Sequence, residues 1–249
     1  YGLPKESDLE FLEIYSVFKS IPAPYTFFKN VKKLMPGHYM VVNSDGYKEH
    51  KYWDLPEIDE NNLITDKKHV YEQFSSLFQD SVKIRMRSDV PFGAFLSGGL
   101  DSSSIVALMS EISPFPVNTF TIGYKESDYD ESDLASLVAE KFKTVHNLGY
   151  VEAASFEDTL SKIAFHYDEP FGDSSAIPTG YVSKFAAKHV KMVLTGDGGD
   201  EVLSGYSSYQ GVKFSQKYQQ LPGAIQEILP KGVEAFKSLT KGGVRYKLN

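Results

Sequence analysis

The chain has 249 residues, enough to bury a full hydrophobic core in one large domain or two small ones. Its formal net charge is −7 and no basic stripe is visible, which argues against binding to nucleic acid or to a membrane surface. It contains no cysteine, which excludes disulfides and thiolate-bound metals, and no apolar run approaches the length of a membrane span. These features predict a cytoplasmic protein.

The first sixty residues predict a small α+β segment. Its predicted elements are, in chain order, a helix over residues 8–19, a hairpin with strands 39–42 and 47–53, and a polar linker over residues 55–63. The hairpin turn is predicted over Asn43-Ser44-Asp45-Gly46, in which Asp-Gly is a dipeptide that strongly favours a tight turn between strands.

The rest of the chain alternates between helical and strand patterns. The predicted elements are a helix over 70–82, a strand over 92–96, a helix through 105–109, a strand over 117–122, a helix from about 130, a strand over 144–148, a helix from Ser155, a helix over 177–189 and a strand over 192–194. This alternation predicts an α/β fold with a doubly wound parallel sheet, which has helices on both faces.

The loop Ser97–Ser103, with the sequence SGGLDSS, joins a predicted strand to a predicted helix. Its two glycines allow a tight turn and a close approach to an anion. The serine hydroxyls and the first N–H groups of the helix then favour a polyphosphate. Asp101 fits beside phosphates if a divalent cation lies between them. The alternative is a strand-to-helix turn that only uses glycine and serine as caps.

A second loop, Thr195–Glu201, follows the predicted strand 192–194 and holds three glycines and three acids. Its carboxylates repel one another unless they share a cation. Ligand loops of an open α/β sheet gather at the carboxyl ends of the strands, so we expect the two loops to face one crevice, with Asp101 and Asp200 holding Mg²⁺ on a triphosphate. The alternative is a solvated acidic turn in which Asp200 or Glu201 caps the next helix.

The Ser97–Ser103 loop resembles the pyrophosphate-binding loop (PP-loop) of the ATP pyrophosphatase superfamily, whose members split ATP between the α- and β-phosphates. Together with Tyr167–Pro178 and Thr195–Glu201, in this order, it resembles the synthetase domain of glutamine-hydrolysing asparagine synthetases of the B type. Segments at the front of the chain are similar to the end of that family's glutaminase domain and its link to the synthetase domain, at residues 22–28, 31–39 and 52–53.

This resemblance implies a fold of the adenine nucleotide alpha-hydrolase type and a division of the chain into two parts. Residues 1–60 are expected to be the C-terminal remnant of a glutaminase domain plus a linker, and residues 61–249 the N-terminal portion of the synthetase domain. The family's glutaminase uses an N-terminal cysteine, which this sequence lacks, so the chain by itself needs ammonia, normally delivered from a glutaminase domain. A homodimer is a further expectation.

The resemblance also implies residue roles. The strand ends at Leu96 and Ile122 are expected to present free backbone N–H and C=O groups to the adenine edge. Thr195 and Gly196 are expected near the ribose or the α-phosphate. Asp197 stands where the family commonly has glutamate and is expected to orient or deprotonate ammonia. The residues expected to hold the pyrophosphate are Ser97, Gly98, Gly99, Leu100, Asp101, Ser102 and Ser103.

The implied reaction uses ATP and Mg²⁺ to convert aspartate into asparagine through a β-aspartyl-AMP intermediate, with release of pyrophosphate and AMP. Two alternatives stay open: a related amidotransferase acting on another carboxylate, such as a cell-surface glycan or peptide precursor, and a non-catalytic nucleotide-binding module. The segment Asp168–Ser175 has three acids and no cation. It is interpreted either as a loop in which Asp173 caps the following helix or as a substrate-binding loop.

Overall fold

The computed structural model describes residues 6–124, 130–151, 156–223 and 225–226. The chain divides into two compact units, Tyr1–Thr195 and Gly196–Asn249. Among the helices that lie in the described ranges, none combines the length and the apolar character that crossing a bilayer requires.

The first unit begins with a short helical segment, as predicted. A 3₁₀ turn at Leu9–Phe11 continues into helix α1, Leu12–Phe18. Asp8 caps the turn, because its carboxylate accepts the N–H of Glu10 at 3.2 Å.

The predicted hairpin is confirmed, with its turn over the predicted residues 43–46. Strands β1 (His38–Asn43) and β2 (Gly46–Lys51) are antiparallel, and Asn43 pairs with Gly46. The central turn residues are therefore Ser44 and Asp45. The Asn43 side chain stabilises the turn, because its oxygen accepts the N–H of Asp45 at 3.0 Å.

The remainder of the first unit contains the predicted alternation, and each element lies close to its predicted place. The elements are α2 (Lys67–Arg85), β3 (Phe92–Phe95), α3 (Leu100–Ile112), β4 (Asn118–Gly123), α4 (Ser132–Lys141), β5 (Val145–Tyr150), α5 (Phe156–Tyr167), α6 (Ala176–Ala186) and β6 (Met192–Leu194). The predicted start of α5 at Ser155 lies outside the described residues.

Strands β3–β6 form one parallel sheet in the order β5-β4-β3-β6. The chain runs outward from β3 through β4 to β5 and then returns to β6 on the other side of β3. The strand order therefore reverses between β3 and β6, and the carboxyl ends of these two strands form the topological switch point at which open α/β sheets bind ligands.

Side chains alternate between two hydrophobic clusters on opposite faces of the sheet. Ala94 of β3 and Leu96 directly after it pack with residues of α2, α3 and α4, whereas Phe95 packs with residues of α6. On β6, Leu194 belongs to the first cluster and Val193 to the second. Helices therefore cover both faces, and the predicted doubly wound α/β fold is confirmed.

A small polar cluster joins β4 to β5 near the amino ends of these strands. The fully buried Thr119 hydroxyl lies 2.9 Å from the Thr144 hydroxyl and 3.0 Å from Nδ1 of His146. Nε2 of His146 is buried and meets no partner among the residues that the structure describes. Burial lowers the pKa of His146 because it disfavours the charged imidazolium.

We expect the free energy of unfolding to decrease as the pH is lowered and His146 takes up a proton. Its pKa is below the ordinary value of 6.5 in the folded chain, so the unfolded chain binds the proton first as the pH falls through that value. Denaturant melts at stepped pH from 8 to about 5 should show this loss beginning near pH 6.5. His146→Gln should flatten this part of the profile, and the exposed control His69→Gln should not. Identical slopes in both variants would contradict the assignment.

The described part of the second unit is a glycine-rich loop and two helices. Helix α7 (Gly199–Leu203) follows the loop at once, and helix α8 (Ser207–Gln219) follows a break at Ser204–Tyr206.

Candidate functional site

The loop after β3 is built by its own serines. Ser97 donates its N–H to the Ser102 hydroxyl at 3.2 Å, and the two hydroxyls lie 3.0 Å apart. The Ser97 hydroxyl also accepts the N–H of Gly99 at 3.2 Å, and Ser102 donates to the Gly99 carbonyl at the same distance. Ser97 is exposed while Ser102 is buried. The Ser102 hydroxyl therefore holds the loop in shape, and Ser97 lies at the loop surface.

Gly98 packs the loop against the beginning of α4. Its φ is +85°, in the left-handed region that glycine adopts without strain. A Cβ at this position would lie 2.7 Å from Cβ of Leu134 and 2.8 Å from the backbone nitrogen of Ala135. The loop conformation therefore depends on glycine at residue 98.

The amino end of α3 lies directly behind this loop. Gly99 is the N-cap and supplies no capping side chain, so the first N–H groups of the helix have no partner within it. Asp101 is half-buried in the first turn. The Ser103 hydroxyl oxygen is buried and has no hydrogen-bond partner in the described part of the chain. Free donors and a positive dipole end make this a suitable position for an anion.

The two strand ends expected to face adenine differ in their backbone bonds. Leu96 donates its N–H to the Phe120 carbonyl at 3.0 Å, and its carbonyl accepts the Thr121 hydroxyl. The expectation of a free N–H at Leu96 is therefore wrong, although a carbonyl oxygen has a second lone pair. Ile122 is half-buried and pairs with Gly149 of β5.

Thr121 is a residue that the sequence interpretation missed. Its hydroxyl fixes the carbonyl at the end of β3 from the neighbouring strand β4, and its side chain is buried. The signal was present, because Thr119 and Thr121 lie two positions apart, on either side of Phe120, in a strand predicted to be buried.

Thr195 ends the first unit at the switch point. It follows Leu194, which pairs with Ala94 in the parallel register of β3 and β6. The structure therefore brings Thr195 and the Ser97–Ser103 loop to the same edge of the sheet. Gly196, Asp197 and Asp200 belong to the second unit.

Within the second unit, the acidic side chains of the loop and of α7 have different surroundings. Asp197 is exposed, and Asp200 is half-buried with its carboxylate against Gly205, where a Cβ would overlap it. Glu201 accepts the Tyr206 hydroxyl at 2.8 Å, and this bond raises the pKa of Tyr206 to about 12. One carboxylate oxygen of Glu201 is therefore engaged by Tyr206.

We expect Gly205→Ala to displace the Asp200 carboxylate, because the new methyl group would occupy its place. Affinity for Mg²⁺–ATP, measured by titration calorimetry, should fall about tenfold, which corresponds to about 1.4 kcal/mol. Gly211→Ala is the matched control, since nothing lies within 4 Å of a Cβ there and the residue is inside α8. That variant should keep the affinity and gain up to about 1 kcal/mol of stability from helix propensity. Equal affinities in both variants would contradict the role of Asp200.

The acidic segment Asp168–Ser175 makes structural contacts. The Asp173 carboxylate accepts the N–H of Ser175 at 2.8 Å, just before α6. Glu169 forms an ion pair with Lys33. These contacts favour the interpretation of the segment as a structural loop before α6.

The grouping of acidic side chains indicates which kind of cation site the described residues could form. Among the described residues, no group of three or more histidine, cysteine, aspartate or glutamate side chains is placed to hold a metal. A site with one or two carboxylates suits Mg²⁺ that arrives on a nucleotide, because the phosphates and water supply the other ligands. The donor chemistry of Asp101 and Asp200 fits that ion.

The fold and the loop define a doubly wound α/β protein with a helix start at its switch point that no side chain caps. The family model described as Asparagine synthase matches residues 73–248, and the model described as Glutamine amidotransferase domain matches residues 1–53. The chain therefore belongs to the asparagine synthase family, and the resemblance predicted from the motifs is confirmed.

Two relatives show the extent of the similarity. A protein named as a glutamine-hydrolysing asparagine synthetase in Methanocaldococcus jannaschii is 44% identical over 201 residues, which cover 80% of this chain and 38% of that protein. Asparagine synthetase (glutamine-hydrolysing) 1 of Bacillus subtilis is 32% identical over 244 residues, which cover 95% of this chain and 38% of that protein. The chain thus spans 38% of the length of each.

Among solved structures, an NH₃-dependent NAD synthetase from Campylobacter jejuni is similar with a TM-score of 0.36 and 18% sequence identity. The similarity covers 57% of this chain and 62% of that protein.

Proposed function

We propose that this chain binds ATP with Mg²⁺ and serves the ATP-dependent amidation of aspartate to asparagine. The observation that carries the proposal is the Ser97–Ser103 loop and the uncapped start of α3 at the switch point between β3 and β6. Membership of the asparagine synthase family and relatives named as asparagine synthetases support this function above the two alternatives.

In this proposal the loop and the start of α3 hold the pyrophosphate part of ATP. The backbone N–H groups of the first helical turn and the exposed Ser97 hydroxyl donate to phosphate oxygens, as at other helix amino ends. The Leu96 carbonyl and the Ile122 backbone face adenine, and Thr195 and Gly196 approach the ribose or the α-phosphate. The buried Ser103 hydroxyl, which lacks a partner among the described residues, supports a polar ligand at this position.

Asp101 and Asp200 are proposed to hold Mg²⁺ on the triphosphate. This ion would neutralise charge that develops on the phosphates as pyrophosphate leaves. Two observations support the pair: Asp101 lies in the first turn of α3, and the chain segment carrying Asp200 begins at the residue after Thr195.

The proposed chemistry has two steps. The side-chain carboxylate of aspartate attacks the α-phosphorus, and the bond between the α-phosphorus and the oxygen bridging to the β-phosphate breaks. Pyrophosphate departs and an acyl-adenylate is formed. Ammonia then attacks the acyl carbon and AMP departs, giving the amide. Asp197 is proposed to orient ammonia or to take its proton, and its exposure leaves it accessible for that role. The protein contributes positioning and charge neutralisation.

The organisation of the longer enzyme is also part of the proposal. Residues 1–60 would be the end of a glutaminase domain plus a linker, and residues 61–249 the first part of a synthetase domain, with ammonia delivered from the glutaminase domain. The family matches at 1–53 and 73–248 support this division. The cytoplasmic location and the homodimer stay predictions.

The test is incubation of the protein with ATP, Mg²⁺, ammonium and aspartate, followed by chromatography of nucleotides and amino acids. AMP, pyrophosphate and asparagine in equal amounts are expected. If AMP forms only when another carboxylate is supplied, that carboxylate and not aspartate is the acceptor substrate. ADP as the product would contradict cleavage between the α- and β-phosphates. ATP binding without pyrophosphate release by an enzyme of the relatives' full length would identify a non-catalytic nucleotide module.

A further inference from the structure

Glu169 lies in the connection between α5 and α6, residues 168–175, and only 13% of its side chain is exposed. Its carboxylate accepts the N–H of Phe27 at 3.2 Å and pairs with the ammonium of Lys33. Lys33 also donates to the carbonyl of Ile21 at 2.6 Å. The Glu169 carboxylate is therefore neutralised largely away from water by a lysine that is far away in the sequence and 36% exposed, and both residues are bonded to backbone of the N-terminal segment.

Gly172 forms a second tie between the same parts of the chain. Its N–H donates to the Lys19 carbonyl at 2.7 Å. A Cβ at Gly172 would lie 3.0 Å from Cβ of Lys19 and 3.2 Å from the hydroxyl oxygen of Tyr15, so the two backbones are closely packed. The stretch from Glu169 to Gly172 is thus bonded at both of its ends to residues 15–33.

The Lys33–Glu169 pair differs from an ordinary surface ion pair. Lys29 and Glu6 also pair, at 2.7 Å, but their side chains are 47% and 63% exposed, and solvent weakens such pairs strongly. Removal of Lys33 leaves the Glu169 carboxylate uncompensated and largely out of water. The pair with Lys33 therefore stabilises the contact between the two segments.

These two contacts connect the two parts of the chain that the family models match. Lys19 and Lys33 lie in the part that matches the glutamine amidotransferase domain, and Glu169 and Gly172 lie in the part that matches asparagine synthase. The connection continues into α6, where the Phe185 ring packs edge-on against Phe120 of β4 at 6.1 Å.

The chain then runs from α6 to β6, where the N–H of Lys191 donates to the Pro91 carbonyl next to β3. Strand β6 ends at the switch point. A shift of the connection would therefore reach the edge of the sheet through α6.

We propose that Glu169 is a positioning residue. Through its pair with Lys33, the N-terminal segment holds α6 and the end of β6 in the arrangement that binds ATP. This inference rests on the proposed function, which places the nucleotide at that edge. Asp168, the residue before Glu169, has φ +61°, a left-handed conformation that aspartate adopts more readily than most residues but still at some cost in free energy. Release of Glu169 should therefore let the connection relax.

The experiment compares the parent chain with Lys33→Met, Glu169→Gln, the double variant, Lys33→Arg and the control Lys29→Met. Mg²⁺–ATP affinity is measured by calorimetry, and hydrogen exchange is followed at the Gly172 amide and the amides of α6. Lys33→Met should weaken ATP binding by about fivefold or more and speed exchange at both places. The double variant should be no worse than Lys33→Met, because the neutral amide that Glu169→Gln introduces leaves no unpaired charge. Lys33→Arg keeps the positive charge and should therefore bind ATP with the affinity of the parent. Lys29→Met should match the parent in both affinity and hydrogen exchange.

Two readouts separate failure of this inference from failure of the proposed function. If the parent binds no ATP, the proposed function fails. Hydrogen exchange at Gly172 and in α6 still tests whether the Lys33–Glu169 pair holds the α5–α6 connection against residues 15–33. If the parent binds ATP and folded Lys33→Met binds it equally well, the inference is overturned. Faster exchange throughout β3 and β4 in Lys33→Met would also overturn it, since that result indicates general loosening of the fold.

Discussion

Asp101→Asn should reduce release of pyrophosphate from ATP by about 100-fold or more, with the free energy of unfolding within about 1 kcal/mol of the parent. The carboxylate is half-buried in the first turn of α3, next to the loop that we propose holds the phosphates. Asparagine keeps the size and one acceptor oxygen but loses the charge that attracts Mg²⁺. The measurements are a coupled pyrophosphate assay and denaturant melts.

Asp133→Asn is the matched control for this substitution. Asp133 also lies in the first turn of a helix on the same sheet, α4, and it is exposed. The control should keep pyrophosphate release and shift stability by a similar small amount, which separates the loss of a helix-end charge from the loss of a metal ligand. Undiminished activity in Asp101→Asn would remove Asp101 from the metal site.

A double-mutant cycle tests whether Asp101 and Asp200 share one ion. If both carboxylates bind the same Mg²⁺, the effects of Asp101→Asn and Asp200→Asn on Mg²⁺–ATP affinity should not add in the double variant. If they act at separate places, the two losses of binding free energy should add to within about 0.5 kcal/mol. Additive losses would contradict the shared ion while leaving ATP binding itself in place.

The order of elements could be predicted because local patterns determine it. The short apolar runs at β3 and β6 and the helical spacing in α2 and α3 are properties of neighbouring residues. The hairpin turn over residues 43–46 could be predicted for the same reason, since both the Asp45-Gly46 dipeptide and the hydrogen bond from the Asp45 N–H to the Asn43 side chain are local.

The contacts that shape the site depend on residues distant in the chain. The Thr121 hydroxyl reaches the Leu96 carbonyl only because β4 lies beside β3 in the sheet. The pair of Lys33 and Glu169 spans 136 positions, and nothing in either local sequence indicates the other. The sequence therefore left two interpretations of the acids in the α5–α6 connection, a substrate-binding loop and a structural loop. Only the tertiary contacts distinguish between them.

Gly98→Ala should destabilise the chain by about 2–4 kcal/mol and abolish measurable ATP binding. Alanine at φ +85° is strained, and its Cβ would meet the backbone of Ala135 at 2.8 Å, which cannot rotate away as a side chain can. Either the loop or the first turn of α4 must move. Thermal melts and calorimetric titration with Mg²⁺–ATP measure the two effects on the same sample.

Gly99→Ala separates folding from binding at the neighbouring position. Gly99 has φ −67°, which any residue adopts, and the nearest atom to a Cβ there is the Ser97 hydroxyl oxygen at 3.2 Å, which can rotate. Its stability should therefore stay within about 1 kcal/mol of the parent. If the phosphates lie against the start of α3, the added methyl group should still weaken ATP binding by about tenfold or more, because it stands between the helix end and the anion. Stable Gly99→Ala protein with unchanged ATP affinity would move the nucleotide away from this loop, whatever Gly98→Ala does to the fold.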